Sequence, residues 1–271
     1  MSGGRLVETM PDGAHCRSAD GSIALTAFSV LLDTALATAP RLVIKRGVRQ
    51  ATVHLHVQFT GQPLRGRLRA IARLEGFSAG GAVREALSSA SVRAGGKLVC
   101  RATGSFVVLP PPPGVKLAPL PWQRSGSTPK RALTVDELDT RERAILNACE
   151  LAIDGAGRKH TFIDHFWNAL PQADETGARC HVSLGPQHGN RVGHVQGGLL
   201  LGLAATTAQF AAPRHPRLSA ISAWFISPGQ GDSLAIQSRR FHEGRSFAGI
   251  RTEIRNADGT RVLEMVSHHA A

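Results

Sequence analysis

The two halves of the chain repeat one pattern of hydrophobicity, and this repeat limits the folds open to it. Residues 22–39 are apolar on nearly every side and carry one charge, at Asp33, before Pro40. Such a segment predicts a buried helix. Residues 50–59 alternate between apolar and polar side chains, with one face formed by Val53, Leu55, Val57 and Phe59. This alternation predicts a half-buried strand.

Three more strand-like segments complete the first half, near residues 64–77, 82–93 and 97–109, with predicted turns at Gly80-Gly81 and at residues 94–96. The second half has the same order. An uncharged, helix-like segment covers residues 197–212 and ends at Pro213. Strand-like segments follow near residues 218–227, 233–242, 247–255 and 261–269. We interpret this agreement as an internal duplication of one helix followed by an antiparallel meander, which is an α+β architecture.

The region between the halves predicts the domain boundaries. Residues 110–113 are four consecutive prolines, which cannot continue a sheet. Thr134 and Glu137 have the spacing of a capping box, and they predict an amphipathic helix that runs to about Ile153 on the outside of the molecule. We therefore expect domains at residues 1–113 and 159–271, joined by a linker at residues 114–158.

Composition narrows the possible partners. The 32 Lys and Arg residues outnumber the 20 Asp and Glu residues, and a net charge of +12 favours phosphorylated or other anionic ligands. Aromatic residues make up only 5% and Tyr is absent, which argues against nucleic acid. The four cysteines form no CxxC pair, and no apolar segment predicts a membrane span. A cytoplasmic protein with no nucleic-acid or membrane partner is expected.

The segment from Asn190 to Leu200, followed by Phe225-Ile226-Ser227-Pro228 and by Gly231 to Leu234, resembles the phenylacetyl-CoA thioesterase (PaaI) group of hot-dog acyl-CoA thioesterases. That group has Asn, five residues, and then His-Gly-Gly at the start of the central helix. The resemblance implies a double hot-dog chain, with two tandem hot-dog domains that each wrap an antiparallel sheet around a central helix. It also implies hydrolysis of an acyl-CoA to a free acid and CoA, with no metal and no cofactor.

The same resemblance indicates the residues of the site. Gly197 and Gly198 would open the second helix, where backbone N–H groups can hold an oxyanion. Asn190 would bind the attacking water or the thioester. Gln196 occupies the position of the family histidine, so a role that needs a charged imidazole is in doubt. His194 lies two positions earlier and is a candidate substrate-binding residue, as is Gly198.

The family carboxylate is missing from the second helix. Counting nine residues from Gln196 leads to Ala205, whereas alignment of the helix-ending prolines leads to Thr206. Neither residue is an acid. The first-half helix supplies Asp33, so the sequence predicts one composite site in which Asp33, as nucleophile or general base, faces Asn190, Gln196 and Gly197. The mirror-related site would lack a carboxylate and should be inactive.

Two arginines of the second half, Arg239 and Arg245, are the candidates for binding the CoA phosphates. Two other functions stay open: a noncatalytic module that binds or senses acyl-CoA, and a hot-dog hydratase or dehydratase. A homodimer of the whole chain is also possible.

Overall fold

The computed structural model describes residues 5–44, 47–78, 84–115, 117 and 131–271. In these residues, eleven strands form one sheet, and two long helices pack against each other and against the sheet. The buried apolar side chains form a single core between the helices and the sheet.

The first half contains one helix and five strands. The helix α1 is Leu25–Arg41, and the strands are β1 (Leu6–Met10), β2 (Arg49–Phe59), β3 (Leu68–Phe77), β4 (Arg84–Ala94) and β5 (Lys97–Leu109). All their pairings are antiparallel, in the spatial order β1-β3-β4-β5-β2.

The second half begins with the helices α2 (Thr140–Gly155) and α3 (Phe162–Phe166). The helix that packs against α1 is α4 (Gly197–Phe210). The strands are β6 (Gln172–Ala173), β7 (Gly177–Ser183), β8 (Arg217–Phe225), β9 (Ser233–Glu243), β10 (Phe247–Asn256) and β11 (Arg261–Ala270). Their order is β8-β11-β10-β9-β7-β6. Without β6 and read from β7 to β8, this is the strand order of the first half. In the sequence of each half, a helix lies between the first and second of these strands: α1 between β1 and β2, and α4 between β7 and β8.

The strands β2 and β8 join the two halves. They pair antiparallel from His54 opposite Trp224 to Gln58 opposite Ala220, which joins the five strands of the first half and the six of the second in one continuous sheet. Each half therefore closes an edge of the other, and neither β2 nor β8 is left as an exposed edge.

Two glycines allow the long helices to touch. A Cβ at Gly198 would lie 2.4 Å from the carbonyl oxygen of Ser29, and a Cβ at Gly202 would lie 2.5 Å from the Cα of Thr26. The later residue of α4, Gly202, thus contacts the earlier residue of α1, Thr26, so the two helices are antiparallel. Only glycine permits this backbone approach.

The predicted helices and strands of both halves are present, with differences at their ends. The helix α1 begins at Leu25 and continues through Pro40 to Arg41, because a proline in the last turn interrupts little of the helix. The capping box of Thr134 and Glu137 forms, but it closes a single 3₁₀ turn. The helix α2 starts later, at a second capping box made by Asp139 and Glu142.

The sequence prediction missed β1, β6, β7 and α3, which are short. The predicted turn at Gly80-Gly81 lies outside the described residues. Among the helices of the described segments, none is long and apolar enough to cross a membrane.

Candidate active site

A cavity of about 760 Å³ lies between the two halves. The first half contributes residues from α1, β2 and β5, and the second half contributes the loop before α4 and the turn after β8. Apolar side chains form much of its wall: Val53, Phe106, Val107, Leu109, Val195, Leu200, Phe225 and Ile226. Asp33 is the one acidic side chain in the described part of this wall.

The carboxylate of Asp33 accepts hydrogen bonds from both halves of the chain. Its Oδ1 accepts from the hydroxyl of Thr52 at 3.0 Å. Its Oδ2 accepts from Nε2 of Gln196 at 2.8 Å and from the backbone N–H of Gly198 at 2.9 Å. These three donors fix the carboxylate at the point where α1 meets the start of α4.

Burial controls the acidity of this group. Only 4% of Asp33 is exposed, and loss of hydration raises its pKa to about 6, although the three hydrogen bonds and the positive charge of Arg41 act in the opposite direction. Near neutral pH the carboxylate is therefore mostly ionised and is a stronger base than an ordinary Asp. A raised pKa beside a cavity is typical of a functional carboxylate.

A β-bulge explains why Thr52 reaches Asp33. Strict alternation would put Thr52 on the same face as His54, away from the core. In the structure, Val53 is an extra residue: Thr52 lies opposite Phe106 and His54 lies opposite Ser105 on the neighbouring strand. The bulge reverses the facing of Thr52, which therefore lines the cavity. The sequence prediction did not include Thr52, since alternation alone gave no sign of the bulge.

Gln196 links the start of α4 to the carboxylate. Its Nε2 donates to Asp33, and its Oε1 accepts from the backbone N–H of Leu199 at 2.6 Å as the N-cap of the helix. Gln196 therefore orients Asp33, and the second N–H of its Nε2 is the donor that remains for a substrate. No titration of this side chain is needed for that role.

The two glycines have different surroundings. Gly197 lines the cavity, and a Cβ there would lie 2.8 Å from Oγ1 of Thr52 and 3.2 Å from Oδ2 of Asp33. Its N–H has no acceptor among the described residues and belongs to the first turn of α4. Gly198 was predicted to bind substrate, but its N–H donates to Asp33 and it is buried against α1. Its N–H is thus already used within the protein, and substrate binding by Gly198 stays a prediction.

Asn190 and His194 both line the cavity. The Oδ1 atom of Asn190 accepts from the backbone N–H groups of Val192 and His194, at 2.9 and 3.2 Å, and so closes the loop before α4. Only its Nδ2 is left for a water or a thioester. Burial and then the nearby charge of Arg49 lower the pKa of His194, which favours a neutral imidazole.

Binding of the CoA phosphates by Arg239 and Arg245 stays a prediction, and the structure places both residues away from the cavity. Both are exposed, on β9 and in the turn after it, and neither lines the cavity. Among the described residues, the cavity wall has three other arginines: Arg41, Arg49 and Arg191. They come from the end of α1, the start of β2 and the loop before α4, and the sequence analysis gave no reason to prefer them among the many dispersed arginines.

The structure also decides the alignment of the two long helices. The N-cap of α1 is Ala24 and that of α4 is Gln196. The backbone N–H of Ala24 bonds to Cys16, as that of Gln196 bonds to His188. This alignment makes Ala205 the counterpart of Asp33. The mirror position therefore holds a buried Ala205, with Ala24 where the first site has Gln196.

Residues 186–269 match the family model of the Acyl-CoA thioesterase N-terminal domain. A search of curated proteins finds no match to the sequence.

Solved structures resemble the chain over its whole length. A putative oleoyl thioesterase from Lactobacillus plantarum aligns with a TM-score of 0.61 at 10% identity, covering 100% of this chain and 97% of that one. A tesB protein from Mycobacterium avium subs paratuberculosis has a TM-score of 0.57 at 14% identity, covering 98% and 92%. A protein of hot-dog fold from Alicyclobacillus acidocaldarius has a TM-score of 0.56 at 10% identity, covering 100% and 94%. At these identities the likeness is one of fold, and that fold is the hot-dog fold.

Proposed function

We propose that this thioester hydrolase hydrolyses an acyl-CoA at one composite site between its halves. The premise is the match of residues 186–269 to the acyl-CoA thioesterase model. The observation that carries the proposal is the contact of Asp33, from the first half, with Gln196 and Gly198, from the second. In this reading the chain is a double hot-dog, with the usual pair of domains joined in one polypeptide. The repeated strand order and the β2–β8 junction support it.

Asp33 is the residue that activates the nucleophile. Its Oδ1 has one protein donor, whereas Oδ2 has two, so Oδ1 has the greater freedom to accept a hydrogen from water. Water then attacks the thioester carbonyl and its proton passes to Asp33. The C–S bond breaks as Asp33 returns that proton to the leaving thiolate, which regenerates the carboxylate. If Asp33 attacked directly, an acyl anhydride would form, and water opening it at the Asp33 carbonyl would leave the label in Asp33 after a single turnover in ¹⁸O-water. Direct attack of water on the thioester would instead put the label in the carboxylate of the product.

The start of α4 is the proposed oxyanion site. The N–H of Gly197 lies in the first helical turn, where the helix dipole adds positive potential. Because Gly197 is next to Thr52 and Asp33, a carbonyl bound there would be within reach of a water held by the carboxylate. Asn190 Nδ2 is a further donor for that water or carbonyl.

The substrate class is an acyl thioester of CoA. The family model is named for acyl-CoA thioesterases, and one structural neighbour is named a 12:0-ACP thioesterase. The apolar wall of the cavity can receive an acyl group, and its arginines suit the phosphates of the carrier. The closer likeness to the phenylacetyl-CoA group stays a prediction that rests on the segment from Asn190 to Leu200.

The family match favours hydrolysis over the two alternatives, the noncatalytic module and the hydratase. A hydratase of this fold would need a histidine paired with the carboxylate, but the protein donors to Asp33 are Thr52, Gln196 and Gly198. A homodimer of the chain and a cytoplasmic location stay predictions.

The test is Asp33→Asn, assayed by release of free thiol from a panel of acyl-CoAs. We expect kcat to fall at least roughly a hundredfold, with little change in binding of acyl-CoA, because a positioned acid–base group is lost. Thr206→Ala, next to the counterpart of Asp33 in α4, is the matched control and should retain activity. Near wild-type turnover in Asp33→Asn would overturn the composite site.

A further inference from the structure

The charges in the cavity do not balance. The described part of the wall has one carboxylate, Asp33, and three arginines, of which Arg41 and Arg49 come from the first half and Arg191 from the second. Arg41 ends α1, and Arg191 follows Asn190 in the loop before α4. Burial, and then repulsion from Arg191, lower the pKa of Arg41 to about 10, so the two guanidinium groups are close enough to oppose each other.

Arg41 has no hydrogen-bond acceptor among the described residues. The oxygens of Asp33 bond to Thr52, Gln196 and Gly198, and Arg49 donates to the carbonyl of Pro110. A half-buried guanidinium carries five donors, and leaving them without an acceptor is unfavourable. Gln50, on the same wall, is in a similar position: its Nε2 and Oε1 are both shielded from solvent and have no partner.

We infer that Arg41 and Arg191 bind an anionic group of the thioester substrate, with the amide of Gln50 as an additional donor. This inference rests on the proposed function. An anion between the two guanidinium groups would supply the acceptor that Arg41 lacks and would offset the repulsion between them. The unbonded amide of Gln50 can turn toward the same group, since no hydrogen bond holds it in place.

The position of Arg41 restricts which group this is. Arg41 follows Asp33 by eight residues in one helix, so their Cα atoms are about 12 Å apart along the axis. The anion is therefore separate from the reacting carbonyl. It is either a phosphate of the CoA carrier or a carboxylate at the far end of the acyl group.

Three substrates with closely related acyl groups distinguish these sources: the acyl-CoA, the neutral acyl-N-acetylcysteamine thioester, and the N-acetylcysteamine thioester of an acyl chain with a terminal carboxylate. The variants are Arg41→Gln and Arg41→Lys, with Arg101→Gln as the control. Arg101 is exposed on β5, outside the cavity, and its loss changes the net charge equally.

We expect Arg41→Gln to lower kcat/KM for the anionic substrate about tenfold to a hundredfold more than for the neutral thioester, as for a lost hydrogen bond to a charged group. Selective loss with acyl-CoA identifies a phosphate, and selective loss with the carboxylated thioester identifies a carboxylate. Arg41→Lys should recover part of the loss, and Arg101→Gln should show no selectivity.

Equal losses on charged and neutral substrates, or no loss on either, would overturn the anion site. Thermal melting of each variant shows whether an equal loss on charged and neutral substrates comes from misfolding. The absence of turnover on every thioester by the unmodified protein would instead contradict the proposed function itself.

Discussion

At the scale of single residues, the acidity of Asp33 is the property from which the chemistry follows. Burial makes the charged form less stable, and the donors Thr52, Gln196 and Gly198 partly restore it. The balance leaves a pKa of about 6, high enough for a useful base and low enough for ionisation at neutral pH. Thr52 and Gln196 are thus positioning residues that tune the carboxylate.

This balance predicts the pH dependence of hydrolysis. Because the ionised carboxylate is the active form, kcat/KM should fall as the pH decreases through about 6. Thr52→Val removes a donor that stabilises the charged form, so its acid limb should move to higher pH, by about one unit. The measurement is a pH–rate profile of both proteins with one acyl-CoA. A limb that stays in place in Thr52→Val would show that another group titrates.

The same pKa predicts an effect on stability. A carboxylic acid whose pKa rises on folding holds its proton more tightly in the folded state. The fold therefore loses stability as the pH rises from about 4 to about 6, by up to roughly 3 kcal/mol. Asp33→Asn should then melt at a higher temperature than the natural protein at pH 8, and this advantage should shrink at pH 4. Calorimetry at the two pH values checks it, and an advantage of the same size at both would contradict it.

At the scale of helices and strands, the close crossing of α1 and α4 positions the site. Gly198 lets the start of α4 lie directly on α1, which brings its N–H to the carboxylate of Asp33. One turn later, Gly202 allows the same approach beside Thr26. The Gly197-Gly198 pair was chosen from the sequence for its chemistry, whereas Gly202 carries no motif and its role depends on a helix distant in sequence.

The crossing predicts that Gly202→Ala destabilises the fold. The new methyl group would lie 2.5 Å from the Cα of Thr26, so the helices must separate, at a cost of about 1–3 kcal/mol in unfolding free energy. Gly157→Ala is the control, because nothing lies within 4 Å of a Cβ at that exposed position. Chemical denaturation of both variants is the measurement. Equal stability of the two would mean that the helices are not in close contact.

Local sequence patterns predicted most of the elements because each pattern has a local cause. The two mainly apolar segments form α1 and α4, and the alternating segments form strands. The failures had nonlocal causes. The strand β1 has five residues and is held by pairing with β3, and the bulge at Val53 appears only in its pairing with β5. Asp33, Gln196 and Gly197 were predicted for the site, but Thr52 and Arg41 required the fold.

At the scale of the whole molecule, the proposed duplication would explain why one helix crossing holds all the groups of the proposed site. Each long helix has a start and a middle, and the antiparallel crossing puts the middle of one at the start of the other. One such meeting point has Asp33 with Gln196 and Gly197. The counterpart positions at the other hold Ala205 and Ala24, neither of which carries a carboxylate. Under the proposed duplication, the two halves divide between them groups that a symmetric dimer would hold twice.

This division predicts the behaviour of the separated halves, expressed as residues 1–115 and 131–271. Each fragment leaves the junction strand β2 or β8 unpaired, so each can pair with a copy of itself or with the other fragment. A pair of first halves has Asp33 but no Gln196 or Gly197, and a pair of second halves has the reverse. Both should be inactive, whereas the mixture should regain thioesterase activity.

Asp33→Asn in the first fragment should abolish this recovery, and Gln196→Leu in the second should reduce it. Thiol release measured during titration of one fragment with the other is the assay, and turnover by either fragment alone would contradict a site shared between the halves.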